Sequence, residues 1–174
     1  MGCEADMRDP CIVWYIASKL SPSVSLNRLE DRLLMQKIGY IVQEILGQRL
    51  GYRFSWYSYG PYSRALSRDL HSSEELCVNS YEKSDETTLI NILDRFTEIY
   101  VKAQMLCPSE SMARILEIVA SLHMLSTNTY PPSTDPVGDL TRIKPYISRA
   151  CAEQIFGMLR EIGVIKTIGR NGLL

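Results

Sequence analysis

The side chains that could do chemistry are few and scattered. Two histidines, His71 and His123, stand far apart and lack the spacing of metal ligands. They read as structural, His71 as a solvated residue at a helix end and His123 as one more residue of an amphipathic helix. The acidic pairs Glu30-Asp31, Glu74-Glu75 and Asp85-Glu86 resemble solvated loop residues or first-turn carboxylates facing a helix dipole more than catalytic dyads. No G-x-S-x-G elbow, G-x-x-x-x-G-K-[ST] loop or G-x-G-x-x-G turn occurs, which leaves hydrolase chemistry and phosphate cradling without a visible seat. The five cysteines, Cys3, Cys11, Cys77, Cys107 and Cys151, show neither zinc spacing nor a disulfide framework. Cys11 and Cys151 fall on apolar helical faces and read as small, inert core residues. These observations predict a protein that is not an enzyme, with no cofactor, no metal and no small-molecule substrate.

Binding chemistry is better represented. In Arg53-Phe-Ser-Trp-Tyr-Ser-Tyr59 the aromatics partly alternate, as in a short strand, and Gly60-Pro61 then signals a turn. Phe54 and Trp56 are expected to bury one face. Tyr57, Tyr59 and Tyr62 are then left outside beside Arg53, Arg64 and Arg68, a Tyr/Arg composition enriched at binding hot spots. The same surface suits nucleic acid, with arginine on phosphate and tyrosine stacking.

The elements that hold these residues are mostly helical. Asp9-Pro10 starts a helix with Ile12, Val13, Ile16 and Leu20 on its apolar face, and Asp31 opens a longer one carrying Leu34, Ile38, Ile41 and Ile45, ended by Gly47 or Gly51. Ser63 caps a short helix through Leu66 and Leu70, and the polar run from His71 to Ser80 reads as loop. A boundary near Ser84 divides the chain into units 1–83 and 84–174. In the second unit, Ser84 or Asp85 caps a helix from Leu89 to Ala103 that stops at Cys107-Pro108, and another spans Met112 to Leu122. A loop from Asn128 containing Pro131, Pro132 and Pro136 follows. A short helix is expected over 138–146, then a helix capped by Ser148 and closed by Gly163. Val164 to Ile168 favours a strand, and Gly169 to Gly172 a turn. The fold class is therefore mainly α with a few short β-strands, built from winged-helix-like units.

As a winged helix, the C-terminal part offers Arg142, Lys144, Arg149, Lys166 and Arg170 to phosphates, and Gln154 and Arg160 to base edges. Charge supports a cationic surface there: residues 28–68 carry seven basic against three acidic side chains, 69–117 four against ten, and 139–170 six against three.

The stretch Leu33 to Leu70, LLMQKIGYIVQEILGQRLGYRFSWYSYGPYSRALSRDL, resembles the uncharacterised YwgA-like proteins. More distantly, Gln36-Lys37-Ile38-Gly39-Tyr40 followed by Trp56-Tyr57-Ser58-Tyr59-Gly60-Pro61 is similar to the Panacea (SocA-like) antitoxin domain, departing from it at Pro61-Tyr62. The resemblance implies a small, non-enzymatic helical domain that acts as an antitoxin, adaptor or regulator through protein contacts.

Two functions from different classes follow. The first is a DNA-associated transcriptional regulator touching phosphate through its basic blocks. The second is an antitoxin-like adaptor, or a homodimer, docking through the Tyr57 to Tyr62 corner. The absence of a secretory leader in the first twenty residues and of any stretch near eighteen apolar residues adds the expectation of a cytoplasmic protein without a membrane partner.

Overall fold

The computed structural model describes residues 7–80 and 86–165. They form seven α-helices and one two-stranded antiparallel ribbon, so the mainly helical expectation with few short strands holds. The helices are α1 (Cys11–Leu20), α2 (Leu29–Tyr40), α3 (Arg64–Ser80), α4 (Glu86–Leu106), α5 (Met112–Thr127), α6 (Pro136–Ile143) and α7 (Arg149–Glu161). The ribbon pairs β1 (Ser55–Tyr57) with β2 (Gly60–Tyr62), Trp56 opposite Pro61.

Helix α1 begins where expected, with the Asp9 carboxylate accepting the Cys11 N–H at 3.0 Å. Helix α2 starts two residues before Asp31, whose carboxylate accepts the Ser25 N–H and holds Arg28. It runs into a π-helical turn over Ile41–Ile45 and ends at Gly47, whose φ of 75° is the left-handed conformation that glycine adopts without strain. Ser63 caps α3 through the Leu66 N–H.

Three expectations are corrected here. Helix α3 does not stop at Leu70 but continues to Ser80. Leu66, Leu70, Ser73 and Cys77 are all buried and recur at three- and four-residue steps, so the polar run is an amphipathic helix with a narrow inner face. Gly60-Pro61 is not the turn. The chain reverses at Ser58-Tyr59, and Gly60 and Pro61 lie in β2. A Cβ at Gly60 would meet Ser121 Oγ at 2.5 Å, and φ there is 84°, so only glycine lets β2 lie this close to α5. Finally, Cys11 pairs with Cys77, joining α1 to α3, and Cys107 with Cys151, joining the end of α4 to α7. Sequence separations of 66 and 44 residues leave no local signature, because the partners meet only once the helices pack.

In the C-terminal half, Asp135 caps α6 with Pro136 at its start, and Ser148 caps α7, which closes at Gly163 with φ 76°. Helices α5, α6 and α7 pack against one another in all three pairs. Val164 and Ile165 form no strand. The rest of the predicted wing, with Lys166 and Arg170, lies outside the described residues, as does the boundary at Ser84.

The core is continuous from Val13 to Ile165, with α5 at its centre: every residue from Ile115 to Leu125 is buried. Helix α2 packs on α5, and there Tyr40 and His123 meet. The Tyr40 hydroxyl is 2.9 Å from His123 Nδ1 and accepts from Asn128 Nδ2 at 3.1 Å. His123 is thus a core residue and not simply part of an amphipathic face. Burial pushes its pKa down to about 4, against the opposing pull of a Val164 backbone hydrogen bond, while burial and the nearby Glu44 carboxylate push the Tyr40 phenol up. The folded ring therefore resists a proton that the unfolded chain takes up near its ordinary 6.5, and stability drops as the pH is lowered through that window. Acidification from about pH 7 to about pH 5 should remove roughly 2 kcal/mol on this account. Urea unfolding at both pH values checks this, and a His123→Gln variant should lose most of the difference.

Candidate functional site

Two residues of α2, one beside the other, hold the ribbon. The Gln36 amide pairs with both backbone groups of Ser63, donating to its carbonyl at 3.0 Å and accepting its N–H at 2.8 Å. Lys37 Nζ donates to the Pro61 carbonyl at 2.8 Å. This gives the Gln-Lys and Gly-Pro-Tyr-Ser motifs a physical link: adjacent helix side chains grip Pro61 in β2 and Ser63 just after it.

A second buried lysine enters from the segment between α6 and α7. Lys144 Nζ donates to Glu117 Oε1 and to the Ser58 carbonyl, both at 2.7 Å. Glu117 is the hub. Its Oε1 also accepts from the Tyr146 hydroxyl at 2.7 Å, and its Oε2 accepts from Arg114 at 2.9 Å. The Arg114 guanidinium lies over the Tyr146 ring, 4.1 Å from its centroid, a stacked contact that fixes both side chains. Burial, and then the hydrogen bond to the Glu117 carboxylate, push the Tyr146 phenol up to about 12.

Lys37, Lys144 and Glu117 are 3%, 1% and 8% exposed, which makes their pairing decisive, since a buried charge is costly unless compensated. Glu117 compensates Lys144. None of the described ion pairs includes Lys37. Desolvation therefore pulls its pKa down to about 7; the Glu117 carboxylate opposes that fall and the Lys144 ammonium adds to it.

Two clefts border the ribbon. One, of about 520 Å³, is lined by Arg8, Arg53, Tyr57, Tyr62, Arg64 and nearby small residues. The other, of about 540 Å³, has Leu29, Leu33, Leu34 and Ala113 as its apolar wall and Lys37, Arg114, Glu117 and Tyr146 as polar groups, with Tyr59 and Glu30 also lining it.

Four of the six predicted partner-binding residues, Arg53, Tyr57, Tyr62 and Arg64, thus converge on the first cleft. Tyr57 and Tyr59 are 41% and 49% exposed. Tyr62 is only half-exposed, its ring 5.2 Å from that of Tyr57. Tyr59 faces the second cleft. Arg68 lies outside both, exposed and 3.7 Å from Asp69. Phe54 and Trp56 are half-buried, with Phe54 edge-on to Tyr40.

The predicted nucleic-acid residues fare differently. Lys144 is corrected: it is buried against Glu117 and cannot reach a phosphate. Arg142 and Arg149 are exposed but ion-paired, with Asp139 at 2.8 Å and Glu153 at 2.9 Å. Gln154 and Arg160 are exposed on α7, with Arg160 over the Phe156 ring.

Lys37, Arg114, Glu117 and Tyr146 are not among the binding residues expected from sequence. Two of them left a signal. Lys37 stands three residues after Leu34 and four before Ile41, inside the apolar stripe of α2, and Glu117 interrupts the apolar run of α5. A charge at such a place must find a partner. Among the described residues no group of three His, Cys, Asp or Glu could hold a metal, and no helix is long and apolar enough to cross a membrane. No family model, curated protein or solved structure matches the chain.

Proposed function

We propose that this chain acts by binding and not by catalysis, as an antitoxin-like or adaptor protein that takes a protein partner at the tyrosine corner of its ribbon. The observation that carries the reading is the convergence of Arg53, Tyr57, Tyr62 and Arg64, with Arg8, on one cleft. Arg8 is tied to Asp69 at 3.3 Å, whereas no described ion pair includes Arg53 or Arg64. Their charge is available to an acidic partner face, and Tyr57 and Tyr62 supply rigid contact area beside it. A partner recovered by affinity capture, purified and titrated against this chain tests the reading. The double reversal Arg53→Glu/Arg64→Glu should weaken binding by about 100-fold or more while leaving the melting temperature unchanged. Equal affinity in the double variant would remove this cleft from the interface.

The second reading, a DNA-associated transcriptional regulator, is favoured by the mutual packing of α5, α6 and α7, the trihelical core that a helix-turn-helix requires. Its charge is less favourable, since Arg142 and Arg149 are already paired and Lys144 is buried. Anisotropy of labelled random duplex across a salt series separates the two readings. A regulator gives a linear log-log fall in affinity, and the adaptor gives no binding at low salt.

A cytoplasmic location, expected from sequence, is opposed by the two disulfides, which persist in oxidising compartments. Alkylation of the denatured, unreduced protein decides this point. With four of the five cysteines bridged, no more than one thiol per chain labels; labelling of all five would restore the cytoplasm.

A further inference from the structure

We propose that the cleft bounded by α2, α5 and the ribbon binds a small organic acid, its carboxylate on Lys37 Nζ and its apolar body against Leu29, Leu33, Leu34 and Ala113. The inference rests on other residues than the protein-docking surface, whose cleft is lined by Arg53, Tyr57, Tyr62 and Arg64.

The charges of the cleft show why an anion belongs there. Arg114 and Lys144 are both charge-paired with Glu117. Lys37 is left with one described acceptor, the Pro61 carbonyl, for an ammonium that carries three donors. It is 3% exposed and lines the cleft, so water compensates it poorly and a ligand can reach it. An incoming carboxylate supplies the missing counter-charge in a low-dielectric place, where a charge-assisted hydrogen bond is at its strongest. The cleft's volume suits a small molecule. One unpaired cation matches a single negative charge. A phosphate, with two charges, would need a second cation, and those nearby, Arg114 and Lys144, are already paired with Glu117.

Titration reinforces the choice of Lys37. The groups around it are Glu117 and Arg114 from α5, Lys144 and Tyr146 from the segment before α7, Glu30 from α2 and Tyr59 from the ribbon. The free amine is near half-protonation at neutral pH, and only its charged form attracts a carboxylate. Binding an anion therefore takes up a proton. Affinity is greatest below about pH 7 and falls roughly tenfold per unit above it, until the bound complex itself loses the proton.

Isothermal titration of the intact chain with phenylacetate, its neutral isostere phenylacetamide and inorganic phosphate tests the proposal. Phenylacetate should bind saturably at roughly millimolar affinity, as a ligand of its size allows. The amide and phosphate should bind at least about tenfold more weakly, and Lys37→Met should abolish phenylacetate binding. The wild-type pH series provides a second, independent reading that needs no variant. Absence of phenylacetate binding, equal binding of the amide, an unaffected Lys37→Met variant or a pH-independent affinity would each overturn the proposal.

Discussion

Glu117→Ala is expected to lower the unfolding free energy by about 3–5 kcal/mol, which for a chain of this length is a fall in melting temperature of roughly 10 °C. The change removes one carboxylate and leaves two buried ammonium groups. Lys144 keeps only the Ser58 carbonyl and the Tyr146 hydroxyl as partners, and Lys37 loses the one nearby negative charge that favours its protonated form. Arg114, less deeply buried, can turn to solvent and contributes little to the loss. Glu117→Gln keeps an acceptor for the Tyr146 hydroxyl but not the charge, and should cost about half as much. The double replacement Glu117→Leu/Lys144→Met exchanges the ion pair for apolar volume and should recover most of the stability, because burying a charge pair gains little over burying hydrocarbon. Urea unfolding of the three variants measures these differences. A loss below about 1 kcal/mol in Glu117→Ala would mean that Glu117 does not hold the two lysines in place.

What could be read from the sequence divides along a physical line. Helix ends are set by local chemistry, and Asp9, Ser63, Ser148 and Gly163 all act at the ends where their residue types placed them. Outward-facing Tyr57 was legible too, because strand alternation is local, whereas Tyr59 is exposed because it lies in the turn. Helix α3 was not: its inner face is only Leu66, Leu70, Ser73 and Cys77, two of them outside the usual apolar set, so polarity concealed the period. The disulfides and the Lys37 and Lys144 network lie beyond any local rule. Glu117 and Lys144 are 27 residues apart, and Lys144 and Ser58 are 86 apart, so their meeting depends on the packing of α2, α5 and the ribbon. Lys144 is the instructive case. In sequence it is one more basic residue of a cationic block, and only its carboxylate partner, supplied by another helix, turns it inward.

Lys37→Met should make the protein more stable at neutral pH, by roughly 2–3 kcal/mol. The folded amine has a pKa near 7 against 10.5 for an ordinary lysine. Between those values the unfolded chain binds more protons than the folded one, so wild-type stability rises with pH across the window and near pH 7 stands about 4–5 kcal/mol below its alkaline limit. Methionine removes that penalty and keeps the aliphatic volume. It also deprives the buried Pro61 carbonyl of its donor, a loss of about 1–2 kcal/mol that sets the net gain. Because the penalty disappears as the lysine deprotonates in the unfolded chain, the advantage of the variant should shrink with rising pH and be gone by about pH 10, where wild type is the more stable of the two. Denaturant midpoints from neutral to alkaline pH follow the crossing. A variant less stable than wild type at neutral pH would mean that Lys37 is charged and well compensated in the free protein, leaving a carboxylate ligand nothing to add. A residue that destabilises the fold it sits in is what a binding site requires, and methionine there should trade ligand for stability.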